Sequence, residues 1–237
     1  MVYQATFQRY ELKFMLTKDQ YEILVAAISP YMAPDHYGRT NIRNLYYDTN
    51  SWQLIRHSIE KPVYKEKLRL RSYGIDRKPI YVELKKKYRG TIYKRRLSMP
   101  EEMAVEWLAG GNCPQDSQIG KEIHYFRDFY QTLRPRVFLS YDRIAWYAKD
   151  GSDLRVTFDE SIQYRTEDLT LNANSPCIPI MGEDQVLMEI KTSGGIPLWL
   201  TQVLSQHKIY KTSFSKYGTA YQNMIHSGGF VYVPKLI

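Results

Sequence analysis

The stretch KEKLRLR, residues 65–71, decides the fold, because its charged residues alternate with apolar ones. In a β-strand successive side chains point to opposite faces of the sheet, so residues on one face repeat about every 7 Å. One face of this strand would carry Lys65, Lys67, Arg69 and Arg71. The opposite face would carry Glu66, Leu68 and Leu70. Such a sheet must keep its charged face hydrated or fill it with an anion, since an unpaired buried charge is very unfavourable.

The same alternation recurs along the chain. Eight strands are predicted, at residues 6–15, 41–48, 64–73, 79–87, 91–98, 136–147, 153–160 and 185–192. Their polar faces would carry Arg9, Glu11, Lys13, Lys65, Lys67, Arg69, Arg71, Tyr81, Glu83, Lys85, Lys87, Lys94, Arg96, Tyr141, Arg143, Arg155, Thr157, Asp159, Glu189 and Lys191. Thirteen cations would thus face four acids. The pattern predicts that these faces line one shared lumen and that the apolar faces pack outward against helices.

Five helices are predicted, at residues 17–31, 100–108, 120–133, 197–205 and 215–225. Thr17 with Gln20 forms a capping box, and Ser213 or Ser215 would cap the last helix. No repeat or linker interrupts the chain, so residues 1–237 are predicted to form a single domain. The expected fold class is α+β: an antiparallel eight-stranded β tunnel barrel with a charged lumen and helices packed outside. The alternative is an open antiparallel sheet whose basic faces are simply solvated.

Composition limits the function classes. The net charge of +8 arises from Lys and Arg within strand-like segments, which indicates an anionic ligand such as a phosphate. Cys113 and Cys177 are expected to be reduced thiols, as in the cytoplasm. Neither a signal peptide nor a membrane span is found, so a cytoplasmic location is expected. The sequence also allows a membrane-protein partner that holds the domain at the inner face of a membrane.

Nine short motifs resemble, in order, those of the polyphosphate polymerase (VTC) domain, which belongs to the triphosphate tunnel metalloenzyme (CYTH-like) superfamily. They are YELKF (10–14), NLYYDT (44–49), KLRLR (67–71), VELKKK (82–87), YKRR (93–96), YDR (141–143), RVTFDE (155–160), MEIK (188–191) and SFSKYGTAY (213–221). Each motif alone is weak, but nine in the family's order across nearly the whole chain form a specific signal.

The resemblance implies a tunnel that binds the triphosphate of ATP and transfers its γ-phosphate to a growing inorganic polyphosphate chain, with Mn²⁺ or Mg²⁺ as cofactor. The cations implied to act on the triphosphate are Lys13, Arg69, Arg71, Lys85, Lys94, Arg143 and Arg155. The other implied substrate-binding residues are Tyr141, Lys191, Ser215 and Lys216. Glu189 is implied to hold the metal. One departure is Ser213, where the family's eukaryotic members have a lysine.

The number of acids separates this prediction from a triphosphatase that hydrolyses inorganic or nucleoside triphosphates. Hydrolytic relatives resemble one another in a Glu-x-Glu-x-Lys first strand, whereas here Arg9 takes the first acidic place before Glu11 and Lys13. The last strand offers Leu187 and Glu189 instead of two glutamates. Fewer acids favour transfer to phosphate over hydrolysis. Charge alone would also allow a non-catalytic polyanion or nucleic-acid binder, but the acids among the cations would repel a nucleic-acid backbone, so no nucleic-acid partner is expected.

Overall fold

The computed structural model describes residues 10–74, 79–89 and 91–227. Within them the strands are β1 (Tyr10–Thr17), β2 (Met32–Pro34), β3 (Thr40–Asp48), β4 (Tyr64–Tyr73), β5 (Ile80–Tyr88), β6 (Thr91–Met99), β7 (Arg134–Ala148), β8 (Arg155–Arg165), β9 (Ile178–Pro179), β10 (Gln185–Thr192) and β11 (Lys211–Thr212). The helices are α1 (Lys18–Ile28), α2 (Gln53–Ile59), α3 (Glu101–Leu108), α4 (Gln118–Phe129), α5 (Leu198–Gln206) and α6 (Lys216–His226). None of these helices is long and apolar enough to cross a lipid bilayer. The predicted α+β class is confirmed.

All the strands belong to one antiparallel sheet. Its order is β11-β1-β10-β8-β7-β3-β4-β5-β6, with β2 beside β7 and β9 beside β8. The sheet curls: five strands separate β1 from β5 in the pairing order, yet Glu11 of β1 and Lys85 of β5 lie near enough to influence each other's pKa. The predicted antiparallel architecture is confirmed, but the sheet is not closed, so the word barrel describes it only loosely. On its second edge β1 pairs with β11 through Lys13 and Phe14 alone, and among the described residues β6 pairs with neither β1 nor β11.

The apolar faces of the strands point outward, as the alternation predicts. Leu68 and Leu70 of β4 are fully buried in a core that includes Trp107 of α3 and Phe126 of α4. A second outer core packs β1, β8 and β10 against α1 and α5. Burial of these side chains supplies most of the driving force for wrapping helices around the sheet.

Helix α6 is packed differently from the other helices. Tyr217, Tyr221 and Met224 share a core with Val137 and Leu139 of β7. These β7 residues lie on the same sheet face as the arginines of β4, since the register of β3 with both strands places them there. The expectation of helices outside therefore holds for α1, α3, α4 and α5 but not for α6. Part of the lumen is apolar and occupied by this helix.

The predicted boundaries of the strands and helices agree well with the structure where the alternation or capping pattern is strong. β4 and β10 match to the residue, and Thr17 with Gln20 forms the predicted capping box of α1. Helix α2 and the short strands β2, β9 and β11 were not predicted. The predicted residues 6–9 of the first strand, including Arg9, and Gly90 of the β5–β6 hairpin lie outside the described residues.

Asp48 explains why α2 forms despite a short, weakly patterned sequence. Its buried carboxylate accepts hydrogen bonds from the backbone amides of Leu54 and Ile55, both at 2.9 Å, in the first turn of α2. The same carboxylate accepts a hydrogen bond from the hydroxyl of Tyr217 at 2.9 Å. One acid therefore fixes both α2 and α6, and burial raises its pKa above the usual value for an aspartate.

We predict that Tyr217→Phe lowers the free energy of unfolding by about 1.5 kcal/mol, because it removes a buried hydrogen bond to a carboxylate while keeping the ring. Urea denaturation followed by circular dichroism measures this change. The control is Tyr210→Phe at a residue that is 73% exposed, where the change should stay within about 0.5 kcal/mol. Equal stability of the Tyr217 variant and the wild type would contradict the anchoring role of Asp48.

Candidate functional site

The inner face of the curled sheet collects the predicted site residues. All of them lie on the inner-facing positions of β1, β4, β5, β6, β7, β8 and β10 or at the start of α6. They are Lys13, Arg69, Arg71, Lys85, Lys94, Tyr141, Arg143, Arg155, Glu189, Lys191, Ser215 and Lys216. Their placement agrees with the alternation, while their chemical roles stay predictions.

One group, which we call the arginine cluster, consists of Arg69, Arg71, Lys94 and Arg96 around Glu83. The Glu83 carboxylate lies 2.7 Å from Arg69, 2.7 Å from Lys94 and 2.5 Å from Arg96. Arg71 is 3.9 Å away. Burial would raise the pKa of Glu83, but the four cations hold it far below its usual value. A single acid therefore neutralises only part of the charge of four cations.

Neutral groups position the two arginines of β4. Arg71 donates to the amide oxygen of Asn44 at 2.9 Å and to the hydroxyl oxygen of Tyr141 at 3.2 Å. Tyr141 is therefore an acceptor here, and its own hydroxyl proton is left to donate to a ligand. Arg69 donates to Tyr46 at 2.9 Å. Burial would raise the pKa of Tyr46, but Arg69 and its cationic neighbours lower it to about 8.

A second group, which we call the acid cluster, contains Glu11, Asp159 and Glu189 with their cations. Arg143 contacts Asp159 through two nitrogens, at 2.5 and 2.6 Å. Lys216 lies 2.6 Å from Asp159 and 3.0 Å from Glu189, so one ammonium joins two carboxylates.

Two further lysines complete the surroundings of Glu189. Lys191 lies 2.8 Å and Lys13 3.6 Å from its carboxylate. Burial would raise the pKa of Glu189, but these cations with Lys216 and Arg143 hold it well below the usual value. Among the described residues, no set of three His, Cys, Asp or Glu side chains is arranged to hold a metal ion by itself.

Two inner-face residues of β8 have buried polar atoms that find no hydrogen-bond partner in the described part of the chain. The Nε atom of Arg155 is buried and unpaired, and its guanidinium lies 4.8 Å from the ring of Tyr147. The hydroxyl of Thr157 is also buried and unpaired. Unpaired buried polar atoms are rare in folded proteins, and a ligand is one explanation for them.

The start of α6 brings further polar groups to the lumen. Ser215 is the helix cap: its hydroxyl accepts from the amide of Gly218 at 3.2 Å and lies 3.4 Å from Lys67. Lys13 donates to the carbonyl oxygen of Phe214 at 2.9 Å. Ser213 is exposed and has the exposed Lys211 two residues before it. The free amides of a helix start favour an anion at this place.

Some members of the site were not assigned a role from the sequence. The alternation placed Glu83, Arg96 and Asp159 on the correct face, but only the structure shows that the two acids organise the cations. Asn44 and Tyr46 were missed, because NLYYDT contains no charge until Asp48. The feature that identifies them is their position, because Asn44 pairs across the sheet with Arg71 and Tyr46 pairs with Arg69.

We predict that Glu83→Gln destabilises the ligand-free protein by about 3 kcal/mol, because it leaves four cations facing one another without their acid. Inorganic tripolyphosphate should restore most of the loss by neutralising the cluster. The control is Glu122→Gln, which breaks a partly exposed pair with Arg95 on the outer face and should cost less than about 1 kcal/mol. Thermal and urea unfolding with and without the anion test this, and an unchanged stability of the Glu83 variant would refute it.

Comparison with known proteins agrees with this architecture. The chain matches the VTC domain family over residues 8–225. A search of the curated proteins found no significant match. A Hippeastrum protein, described as a candidate adenylyl cyclase with a dominant triphosphatase activity, has a TM-score of 0.54 at 16% identity, covering 93% of this chain and 96% of its own. A candidate adenylate cyclase from Vibrio parahaemolyticus has a TM-score of 0.51 at 8% identity, covering 92% and 99%.

At these identities the structural likeness establishes the fold alone. The family match covers most of the chain. This protein therefore belongs to the VTC domain family, and it shares its fold with the Hippeastrum and Vibrio proteins.

Proposed function

We propose that this chain is a metal-dependent polyphosphate polymerase that transfers the γ-phosphate of ATP to a growing inorganic polyphosphate chain inside the lumen. The observation that carries the proposal is the surplus of positive charge on one enclosed face. The arginine cluster sets four cations against one acid, and the acid cluster sets Lys13, Arg143, Lys191 and Lys216 against three acids. Such a surplus suits a polyanionic substrate.

Phosphoryl transfer makes modest demands on a protein. Charge on the phosphate oxygens must be neutralised, and the attacking oxygen must be held in line with the leaving group. In the proposed step a terminal oxygen of the acceptor chain forms a bond to the γ-phosphorus, the bond from that phosphorus to the β,γ-bridging oxygen breaks, and ADP leaves. A terminal phosphate ionises near neutral pH, so the acceptor needs no protein base.

The cations would divide this work by position. Arg69 and Arg71 present guanidinium forks, which match phosphate oxygens bidentately. Lys216 and Arg143 are held by Asp159, so their charged groups are fixed before a substrate arrives. Fixed charges stabilise a developing negative charge without reorganising during the reaction.

The residues present fit a hard divalent ion such as Mn²⁺ or Mg²⁺. The acid cluster offers only carboxylate oxygens, and Glu189 lies near enough to Glu11 and Asp159 to oppose the ionisation of each. Mg²⁺ is commonly bound by one or two carboxylates together with substrate phosphates. Glu189 would hold the ion, and the ion would neutralise phosphate oxygens when bound.

A triphosphatase is the second candidate function. It is favoured by the three acids gathered at β1, β8 and β10 and by the description of the Hippeastrum protein. The contacts of the acids argue against it, because Glu189 and Asp159 are held by lysine and arginine side chains. A water would need a free carboxylate as its base, whereas a metal ion at Glu189 would bind together with substrate phosphates, which would take over these cations. We also propose that residues 1–237 form a single catalytic domain and that the protein is cytoplasmic. A membrane-protein partner at the inner face of a membrane is part of the same proposal.

Incubation of the purified chain with ATP and Mn²⁺ or Mg²⁺, followed by separation of the products by size, tests the proposal. Long phosphate chains are expected. Free phosphate as the only product would establish the triphosphatase instead. The absence of any turnover would indicate a non-catalytic polyanion binder.

We predict that Arg71→Ala and Lys85→Ala each lower kcat/KM for ATP by about a hundredfold, since each removes a charge that would contact the reacting phosphates.

Glu189→Ala should chiefly lower turnover at limiting metal, because Glu189 is the proposed metal ligand. The control is Lys211→Ala at an exposed residue of β11, which should keep wild-type activity. Full activity of the Glu189 variant at limiting metal would refute the metal assignment.

A further inference from the structure

One uncharged side chain, that of Thr157, lies in the middle of the charged inner face of β8. Arg155 and Asp159 flank it along the strand. Across the sheet it pairs with Glu189 of β10 and with Ala145 of β7. Residues directly opposite each other on paired strands project from the same face of a sheet, so the side chain of Thr157 belongs to the lumen.

The hydroxyl of Thr157 is fully buried, and it finds no hydrogen-bond partner in the described part of the chain. Burying a hydroxyl in this way is unfavourable, because its hydrogen bonds to water are lost and nothing replaces them. The neighbouring carboxylate of Glu189 is occupied by Lys216 at 3.0 Å and by Lys191 at 2.8 Å. On the other side, the methyl side chain of Ala145 offers no polar group to the hydroxyl.

A buried threonine on the next strand shows the opposite arrangement. Thr192 of β10 follows the inner-face residue Lys191 and therefore lies on the outer face of the sheet. Its hydroxyl accepts from the amide of Gly194 at 3.2 Å and lies 3.5 Å from a carboxylate oxygen of Asp153. The chain thus satisfies this threonine hydroxyl on its outer face and leaves that of Thr157 unpaired on its inner face.

A second unpaired donor lies at the neighbouring inner-face position. The Nε atom of Arg155 is buried and has no partner among the described residues, and its guanidinium lies 4.8 Å from the ring of Tyr147. Residues two apart on one face of a strand are spaced by about 7 Å. A guanidinium offers only donors, and the hydroxyl of Thr157 can donate its proton. Two unpaired donors at neighbouring positions require an acceptor, so an oxyanion fits this place better than a metal ion does.

We infer that Thr157 binds the anionic substrate directly: its hydroxyl donates a hydrogen bond to a phosphate oxygen beside the guanidinium of Arg155. The inference rests on the proposed function for the identity of the anion. In the ligand-free protein the hydroxyl has lost water and gained no partner, whereas in the complex it gains a charged acceptor, which binds a donor more strongly than a neutral one does. Thr157 is thus a substrate-binding residue in addition to those that the family resemblance implies.

The test is the substitution Thr157→Val, which replaces the hydroxyl by a methyl group of similar size. The variant should bind inorganic tripolyphosphate about tenfold more weakly than the wild type in isothermal titration calorimetry, because one hydrogen bond to a charged group is lost. The loss should be the same with and without Mn²⁺, since the hydroxyl contacts the anion. Without any anion, the melting temperature of the variant should equal or exceed that of the wild type, because an unpaired buried polar atom is gone.

Two further variants serve as controls. Thr157→Ser keeps the hydroxyl and should retain the wild-type affinity for tripolyphosphate. Thr192→Val removes a hydroxyl that has partners, so it should lower the melting temperature and leave the affinity for tripolyphosphate unchanged.

The inference is overturned if Thr157→Val binds tripolyphosphate normally, which would mean that water alone pairs the hydroxyl, or if its anion-free melting temperature falls below that of the wild type. A loss of affinity seen only with Mn²⁺ would make the hydroxyl a metal ligand instead, and an equal loss in Thr192→Val would make the effect structural. Failure of the wild type to make polymer from ATP would reject the proposed polymerase, whereas these binding measurements judge Thr157 by themselves.

Discussion

The inner face of this sheet must hold many positive charges close together, and the rest of the site follows from that constraint. Buried charges are tolerated only when they are paired or hydrated. Glu83 satisfies this requirement for the arginine cluster, and Asp159 with Glu189 does so on the opposite wall. The acids are too few to neutralise the cations completely. The fold therefore fixes the cations in place and still leaves charge for an anionic ligand.

Helix α6 connects the stability of the fold to this arrangement. Tyr217 is fixed by the carboxylate of Asp48 and stacks on Tyr46 with 4.4 Å between the ring centres. The preceding residue, Lys216, is thereby held between Asp159 and Glu189. A helix expected on the outside of the sheet instead occupies part of the lumen and delivers a catalytic candidate to it.

Much of the fold could be predicted from the sequence, because the two-residue period of segments such as 65–71 fixes which side chains share a face. The curl of the sheet, its open edge and the inward position of α6 could not, since they depend on contacts between segments far apart in the chain. Helix α2 was missed because the carboxylate that accepts from its first amides, Asp48, lies in the preceding strand. For the site, charge identified the cations, whereas Asn44 and Tyr46 acquire their roles only through cross-strand pairing with the arginines of β4.

The most direct test of the account is a crystal structure of the protein with tripolyphosphate and Mn²⁺. The account predicts that the anion lies within the lumen, with its oxygens at hydrogen-bond distance from Arg71, Arg143 and Lys216. Tripolyphosphate bound only to outer cations such as Lys86 and Arg95, with the contacts of Glu83 and Glu189 unchanged, would contradict the claim that the inner face is built for a linear phosphate.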